Sequence, residues 1–209
     1  DERIREDVFI PLDKTKDARS GARVLVTITS WPDKNRKAEG EITEILGYTG
    51  DKDLDVKVIM AKHGLPFDFP KEVREETENI NQLVAMEEGR FDYRGRQLIT
   101  IDGEDAKDLD DAIDVVRLAN GNFRLGVYIA DVSYYVKPGT AIDEEAYARG
   151  TSVYLVVRVI PMLPAVLSNG ICSLNAGKDR YAMTCVMEID KNGKVIHADI
   201  GPAVIQVKR

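Results

Sequence analysis

Two turn signals in the second half of the chain do most to limit its fold. Ala119-Asn120-Gly121-Asn122 lies between the β-prone runs Asp114-Val115-Val116-Arg117-Leu118 and 123–130. Asp190-Lys191-Asn192-Gly193 lies between 183–189 and 195–200. Asn-Gly supplies the residues that accept positive φ at a tight corner, so each stretch reads as a β-hairpin. Hairpins demand antiparallel sheet. Residues 142–149 (Ile-Asp-Glu-Glu-Ala-Tyr-Ala-Arg) add a helix beside that sheet, and 152–159 is again β-prone.

The first seventy residues read differently, as short strands with polar turns. Val24, Val26 and Ile28 alternate with Leu25, Thr27 and Thr29. Residues 38–46 read as a second strand and 55–60 as a third, with turn chemistry in Ser30-Trp31-Pro32-Asp33-Lys34-Asn35. Several strands in so short a span suggest a small β-barrel. Residues 14–37 hold seven basic side chains, Lys34, Arg36 and Lys37 among them, against two acidic ones. Basic turns suit the oligonucleotide-binding (OB) kind of barrel, which carries nucleic acid on one face and its loops. Trp31 serves equally well as a barrel-edge packing residue or as a stacking platform. Leu65-Pro66-Phe67-Asp68-Phe69-Pro70 breaks the pattern. Residues 71–86 then read as a helix ended by Gly89, so 71–89 is expected to be a linker helix. The class is α+β: an OB-fold barrel over 1–70, then part of a mixed α/β domain over 90–209.

Composition narrows the function classes. With 209 residues, 44% of them hydrophobic, the chain can bury a sizeable core. A net charge of −7 excludes a generally basic, histone-like binder, though not a local basic patch. Two cysteines make no disulfide framework and fit a reducing compartment; two histidines exclude a His-rich metal site. No apolar run approaches the roughly 20 residues of a membrane span. The start, Asp1-Glu2-Arg3-Ile4-Arg5-Glu6-Asp7, is not a signal peptide. A cytoplasmic protein without a membrane partner is expected.

Residues 101–114 carry seven acidic side chains against Lys107 alone. Such a knot costs repulsion that a divalent cation would relieve. A calcium hand requires ligands at positions 1, 3 and 5, Gly at 6 and Glu at 12. Counted from Asp102, position 5 is Ala106; counted from Asp108, it is Ala112. Neither register works. What remains is a hard-cation site drawn from Asp102, Asp108, Asp110 and Asp111. Mg²⁺ prefers oxygen ligands and keeps several waters, and the chemistry that uses such a site is phosphodiester cleavage. Glu104, Asp105 and Asp114 are expected to be solvated or structural neighbours. The plain alternative for the whole run is an ordinary solvated face.

Thr100-Ile101-Asp102-Gly103-Glu104-Asp105-Ala106-Lys107-Asp108-Leu109-Asp110-Asp111-Ala112 resembles the signature of the ribonuclease R/ribonuclease II (RNB) family of 3′→5′ exoribonucleases. Ile129-Ala130-Asp131-Val132-Ser133-Tyr134-Tyr135-Val136, Arg149-Gly150-Thr151-Ser152-Val153-Tyr154-Leu155, Ile160-Pro161-Met162-Leu163-Pro164 and Leu167-Ser168-Asn169-Gly170-Ile171-Cys172-Ser173-Leu174-Asn175 agree with it, in order and spacing. The resemblance implies that 1–70 is the second cold-shock (OB) domain and 90–209 the N-terminal part of the RNB catalytic domain. It implies Mg²⁺-dependent, processive hydrolysis of single-stranded RNA to nucleoside 5′-monophosphates, with no small-molecule cofactor and a monomeric parent protein. By motif match, Asp102, Asp108 and Asp111 are metal ligands and Asp110 is the carboxylate closest to the chemical step. Tyr154 matches the aromatic that packs on the 3′-terminal base. Tyr128 and Val157 depart from the family's usual residues, and the family's domain continues beyond the length seen here. The stretch is therefore expected to be a piece of a longer enzyme whose site is completed elsewhere. Two other readings are a catalytically incomplete RNA-binding module with a vestigial acidic loop, and a metal-binding structural loop that meets no nucleic acid, which tight Ca²⁺ binding without RNA affinity would favour.

Overall fold

The computed structural model describes residues 7–33, 36–103, 106–156 and 158–208. The chain divides into two compact units, Asp1–Asp68 and Phe69–Arg209.

In the first unit, β1 (Ala22–Ser30) and β2 (Glu39–Tyr48) form one long antiparallel hairpin. Its register shifts three times, and such bulges strengthen the twist that curls a sheet. Phe9 adds a parallel bridge at Glu39, its N–H donating to the Ala38 carbonyl at 2.7 Å. Gly40 is obligatory there: a Cβ would stand 2.6 Å from Val26 Cγ1 and 2.9 Å from the Thr27 carbonyl. The third strand expected over 55–60 is instead the helix α1 (Leu54–Lys62). A six-residue alternation cannot be told from a helix turn by period alone. Here Leu54 and Met60, buried about two turns apart, decide for the helix.

In the second unit, α2 covers only Lys71–Glu78, not 71–86. The Asn79 side chain donates to the Glu75 carbonyl and Asn81 accepts from Leu83 N–H, local bonds that compete with helix. The following segment is held by Tyr181, whose hydroxyl accepts from Ala85 N–H and donates to the Ala85 carbonyl, each at 3.0 Å. Then come β3 (Phe91–Asp92), β4 (Asp111–Arg117), β5 (Phe123–Ala130), the short α3 (Val132–Tyr135), α4 (Ala141–Arg149), β6 (Val153–Tyr154), β7 (Val159–Ile160), a π-helical turn Val166–Ile171, β8 (Asp179–Ile189) and β9 (Val195–Gln206). The main sheet runs β3-β9-β8-β5-β4, antiparallel except for β3 against β9. Both expected hairpins are present, with Gly121 at φ +87° and Gly193 at φ +84° in their corners.

One face of this sheet is lined by Ala112, Tyr128, Ala130, Ala182 and Ala203. Small side chains let α2, α4 and the 163–174 segment approach closely through Val73, Ile142, Leu167 and Leu174, all buried. Thr140 caps α4 by accepting from Asp143 N–H, and Gly150 ends it at φ +72°. Edge strand β4 starts at Asp111, so the acidic loop leaves the sheet at that end. Ile99 and Ile113 exchange backbone hydrogen bonds at 3.0 and 2.9 Å and close the loop's base. Among the described residues no helix is long and apolar enough to cross a membrane.

Candidate active site

Backbone hydrogen bonds fix the C-terminal half of the acidic loop. Ala130 N–H, at the end of β5, donates to the Asp110 carbonyl at 2.8 Å. Leu174 N–H donates to the Leu109 carbonyl at 2.8 Å. The Ser173 hydroxyl accepts from Leu109 N–H at 3.1 Å and donates to the Lys107 carbonyl at 2.9 Å. Asp108 is half-buried, while Asp102, Asp110 and Asp111 reach solvent.

Asp108 and Asp110 border a cavity of about 370 Å³ whose walls include Ile129, Val132, Met162, Leu163 and Cys172. That volume suits one small organic group. Asp110 stands against these apolar walls, which raises its pKa; the charges of Asp108, Asp111 and Asp102 raise it further. Cys172 is free and buried. Burial, followed by the charge of Asp110, pushes its thiol up to about 12, so it is a neutral wall and not a nucleophile. Tyr154 is 65% exposed, and its hydroxyl donates to Asp108 Oδ2 at 2.8 Å. This hydrogen bond raises the phenol's pKa. An exposed ring therefore stands beside the carboxylates.

The four aspartates expected to form a cation site share one loop, and the other three act electrostatically on Asp110. They do not close into a cage. Among the described residues no three His, Cys, Asp or Glu side chains gather tightly enough to enclose a metal ion. Nor does any of the four make an ion pair with a described basic side chain. Carboxylates that share one loop and pair with no described basic side chain suit Mg²⁺, which binds through one or two carboxylates plus water and substrate phosphate. Glu104 and Asp105 lie outside the described residues.

Asp114 proves structural. It is buried, accepts from Tyr128 Oη at 2.6 Å and from Arg124 at 3.2 Å, and lies 3.7 Å from Arg96. Tyr128 is thus the buried partner of a buried carboxylate. Val157 lies outside the described residues.

In the first unit, Arg36 and Lys37 are exposed near Trp31, which is 61% exposed; Lys34 lies outside the described residues. Arg36 closes the turn through reciprocal backbone bonds with Asp33, each 3.0 Å. Lys37 meets Asp7 at 3.9 Å and Lys14 meets Glu41 at 4.0 Å, exposed pairs that restrain little.

Sequence reasoning passed over Ser173 and Arg180. Arg180 donates through Nε to the Ser173 carbonyl at 2.7 Å and through Nη2 to the Gly170 carbonyl at 3.1 Å. The only signal for Ser173 was a hydroxyl inside the apolar run Ile171-Cys172-Ser173-Leu174.

The second unit is an α+β domain whose edge strand leads out of a carboxylate-rich loop beside an apolar cavity. The family model described as "RNB domain" matches residues 90–209, and that described as "Cold shock domain" matches 1–70. The chain belongs to the RNB family. A Ribonuclease R of Thermotoga maritima is 46% identical over 213 residues, covering 100% of this chain and 30% of that protein. The Ribonuclease R of Escherichia coli is 44% identical over 197 residues, covering 93% of this chain and 24% of its own length. The chain thus spans about a quarter to a third of these relatives. Among solved structures, Mycoplasma genitalium RNase R in complex with double-stranded RNA superposes with a TM-score of 0.85 at 29% identity, over 96% of this chain and 36% of that one. Yeast Ssd1, described as a pseudonuclease, shares the fold at 18% identity and a TM-score of 0.71, over 96% of this chain and 26% of that one. Catalysis is therefore a matter of the site and not of the fold.

Proposed function

We propose that this protein contributes the carboxylate site of a 3′→5′ exoribonuclease that hydrolyses single-stranded RNA to nucleoside 5′-monophosphates with Mg²⁺. One observation carries the reading: Asp108 and Asp110 stand together at the rim of a cavity beside the exposed Tyr154 ring. Its support from kinship is the RNB family itself.

Asp102, Asp108 and Asp111 would hold the cation. A bound Mg²⁺ supplies charge neutralisation at the scissile phosphate and a more acidic water. The residues of the chain do the rest. Asp110 orients the attacking water through a carboxylate oxygen and takes up its proton. Tyr154 offers a face for the terminal base, a grip that tolerates any sequence. The apolar walls of Ile129, Met162 and Leu163 keep bulk water from that end of the cavity. Arg36 and Lys37 of the first unit, with Lys34 beside them in the sequence, are suited to pairing with RNA phosphates.

The test is degradation of 5′-labelled RNA by the intact protein. Shortening from the 3′ end to 5′-monophosphates is expected with Mg²⁺, and none after chelation by EDTA. Cleavage at internal positions, or hydrolysis that EDTA leaves intact, contradicts the reading.

A further inference from the structure

We propose that Ser173, held in place by Arg180, is a positioning residue that presets the acidic loop for a divalent cation. The inference rests on the hydrolytic reading above. Ser173 is fully buried within the stretch 167–175, to which the mechanism so far gives no task. A buried hydroxyl amid apolar neighbours costs stability unless both its donor and its acceptor are used. Here both are used, and on one target. Its oxygen accepts from Leu109 N–H and its proton goes to the Lys107 carbonyl, so the two bonds straddle Asp108.

The neighbouring bonds extend the same clasp. Leu174 N–H takes the Leu109 carbonyl and Ala130 N–H takes the Asp110 carbonyl. Four bonds therefore pin the backbone on both sides of the two carboxylates that line the cavity. The clasp itself is anchored from β8: Arg180 Nε and Nη2 hold the carbonyls of Ser173 and Gly170, and Nη1 that of Asp179 at 2.9 Å. Leu174, buried beside Ser173, roots the segment in the core. Like charges crowded in one loop push it to spread until a cation arrives. A fixed backbone opposes that spreading and leaves less reorganisation for binding.

The measurement is Mn²⁺ affinity of the intact protein, read from the free-ion electron paramagnetic resonance signal, for the native protein, Ser173→Ala and Ser173→Cys. Loss of an outer-shell partner weakens metal binding by roughly 10–100-fold. Ser173→Ala is expected to fall in that range. Ser173→Cys, close in shape but with a weak donor, falls between. It also keeps the comparison available if the alanine variant does not fold. The Mg²⁺ concentration for half-maximal hydrolysis rises in parallel, while KM for RNA at saturating Mg²⁺ is unchanged. A serine that only fills the core would lower the melting temperature and leave Mn²⁺ affinity at the native value; that result overturns the positioning role and leaves the hydrolytic reading standing. The reverse pattern, weakened Mn²⁺ binding in the variants of a native protein that does not cut RNA, retains the clasp and removes the nuclease.

Discussion

Asp110→Asn lowers RNA hydrolysis by the intact protein by on the order of 10²–10⁴-fold, the range expected when a positioned proton acceptor is lost. The amide matches the carboxylate in shape but carries no charge and cannot take up a proton at neutral pH. The fold tolerates it, because solvent reaches Asp110 and the charges of Asp108, Asp111 and Asp102 already oppose its ionisation. Removing one of four like charges relieves repulsion. RNA binding persists, since Tyr154 and the basic groups of the first unit are untouched. Single-turnover hydrolysis and filter binding on the same preparation separate the two effects. Normal turnover by the variant removes Asp110 from the chemical step. Equal loss of binding and turnover points to a damaged fold instead.

Gly126→Ala is expected to cost about 3–5 kcal/mol, as breaking a buried charge network does. Gly126 lies on β5 opposite Asp114 on β4. A Cβ there would meet Asp114 Oδ1 and Tyr128 Oη, the two atoms of one buried hydrogen bond, and lie 2.8 Å from Tyr128 Cε2. Neither partner has room to retreat. Tyr128 is fully buried and edges onto the Tyr93 ring at 6.0 Å, while its hydroxyl also accepts from Arg96 at 2.8 Å. Burial and the hydrogen bond to Asp114 raise the Tyr128 phenol's pKa, so it remains the donor. For a chain of this size the cost corresponds to a fall in melting temperature on the order of 10 °C. Thermal unfolding followed by circular dichroism reads it directly. An unchanged transition would mean that the network contributes little to stability.

The sequence showed the antiparallel hairpins and α4 because their signals are local: Asn-Gly corners, alternating apolar runs, and the helix-prone stretch 142–149. The acidic loop was legible for the same reason, since seven acids lie within a few turns of chain. What failed was the reading of short or tertiary-dependent segments. Residues 55–60 alternate like a strand but fold as α1, because Leu54 and Met60 have a core to enter. Residues 79–86 have an apolar stripe but leave the helix, because Asn79 and Asn81 bond their own backbone and Tyr181, almost a hundred residues away, takes both polar groups of Ala85. Ser173 and Arg180 were invisible as site-builders for a related reason. Their partners, Lys107, Leu109 and Gly170, become neighbours only in the folded chain. Tyr128 stands in the sequence only as a departure from a pattern, yet its hydroxyl completes the environment of buried Asp114.

The central claim is that the loop bearing Asp102, Asp108, Asp110 and Asp111 brings a divalent cation to an RNA phosphate at the cavity mouth. A crystal of the Asp110→Asn protein, grown with Mn²⁺ and a short RNA, tests it through anomalous scattering. The account predicts a manganese peak touching carboxylate oxygens from Asp102, Asp108 or Asp111 and a phosphate oxygen of the strand, with the terminal base against Tyr154. A well-ordered RNA whose phosphates lie elsewhere, or manganese bound away from this loop, would contradict it.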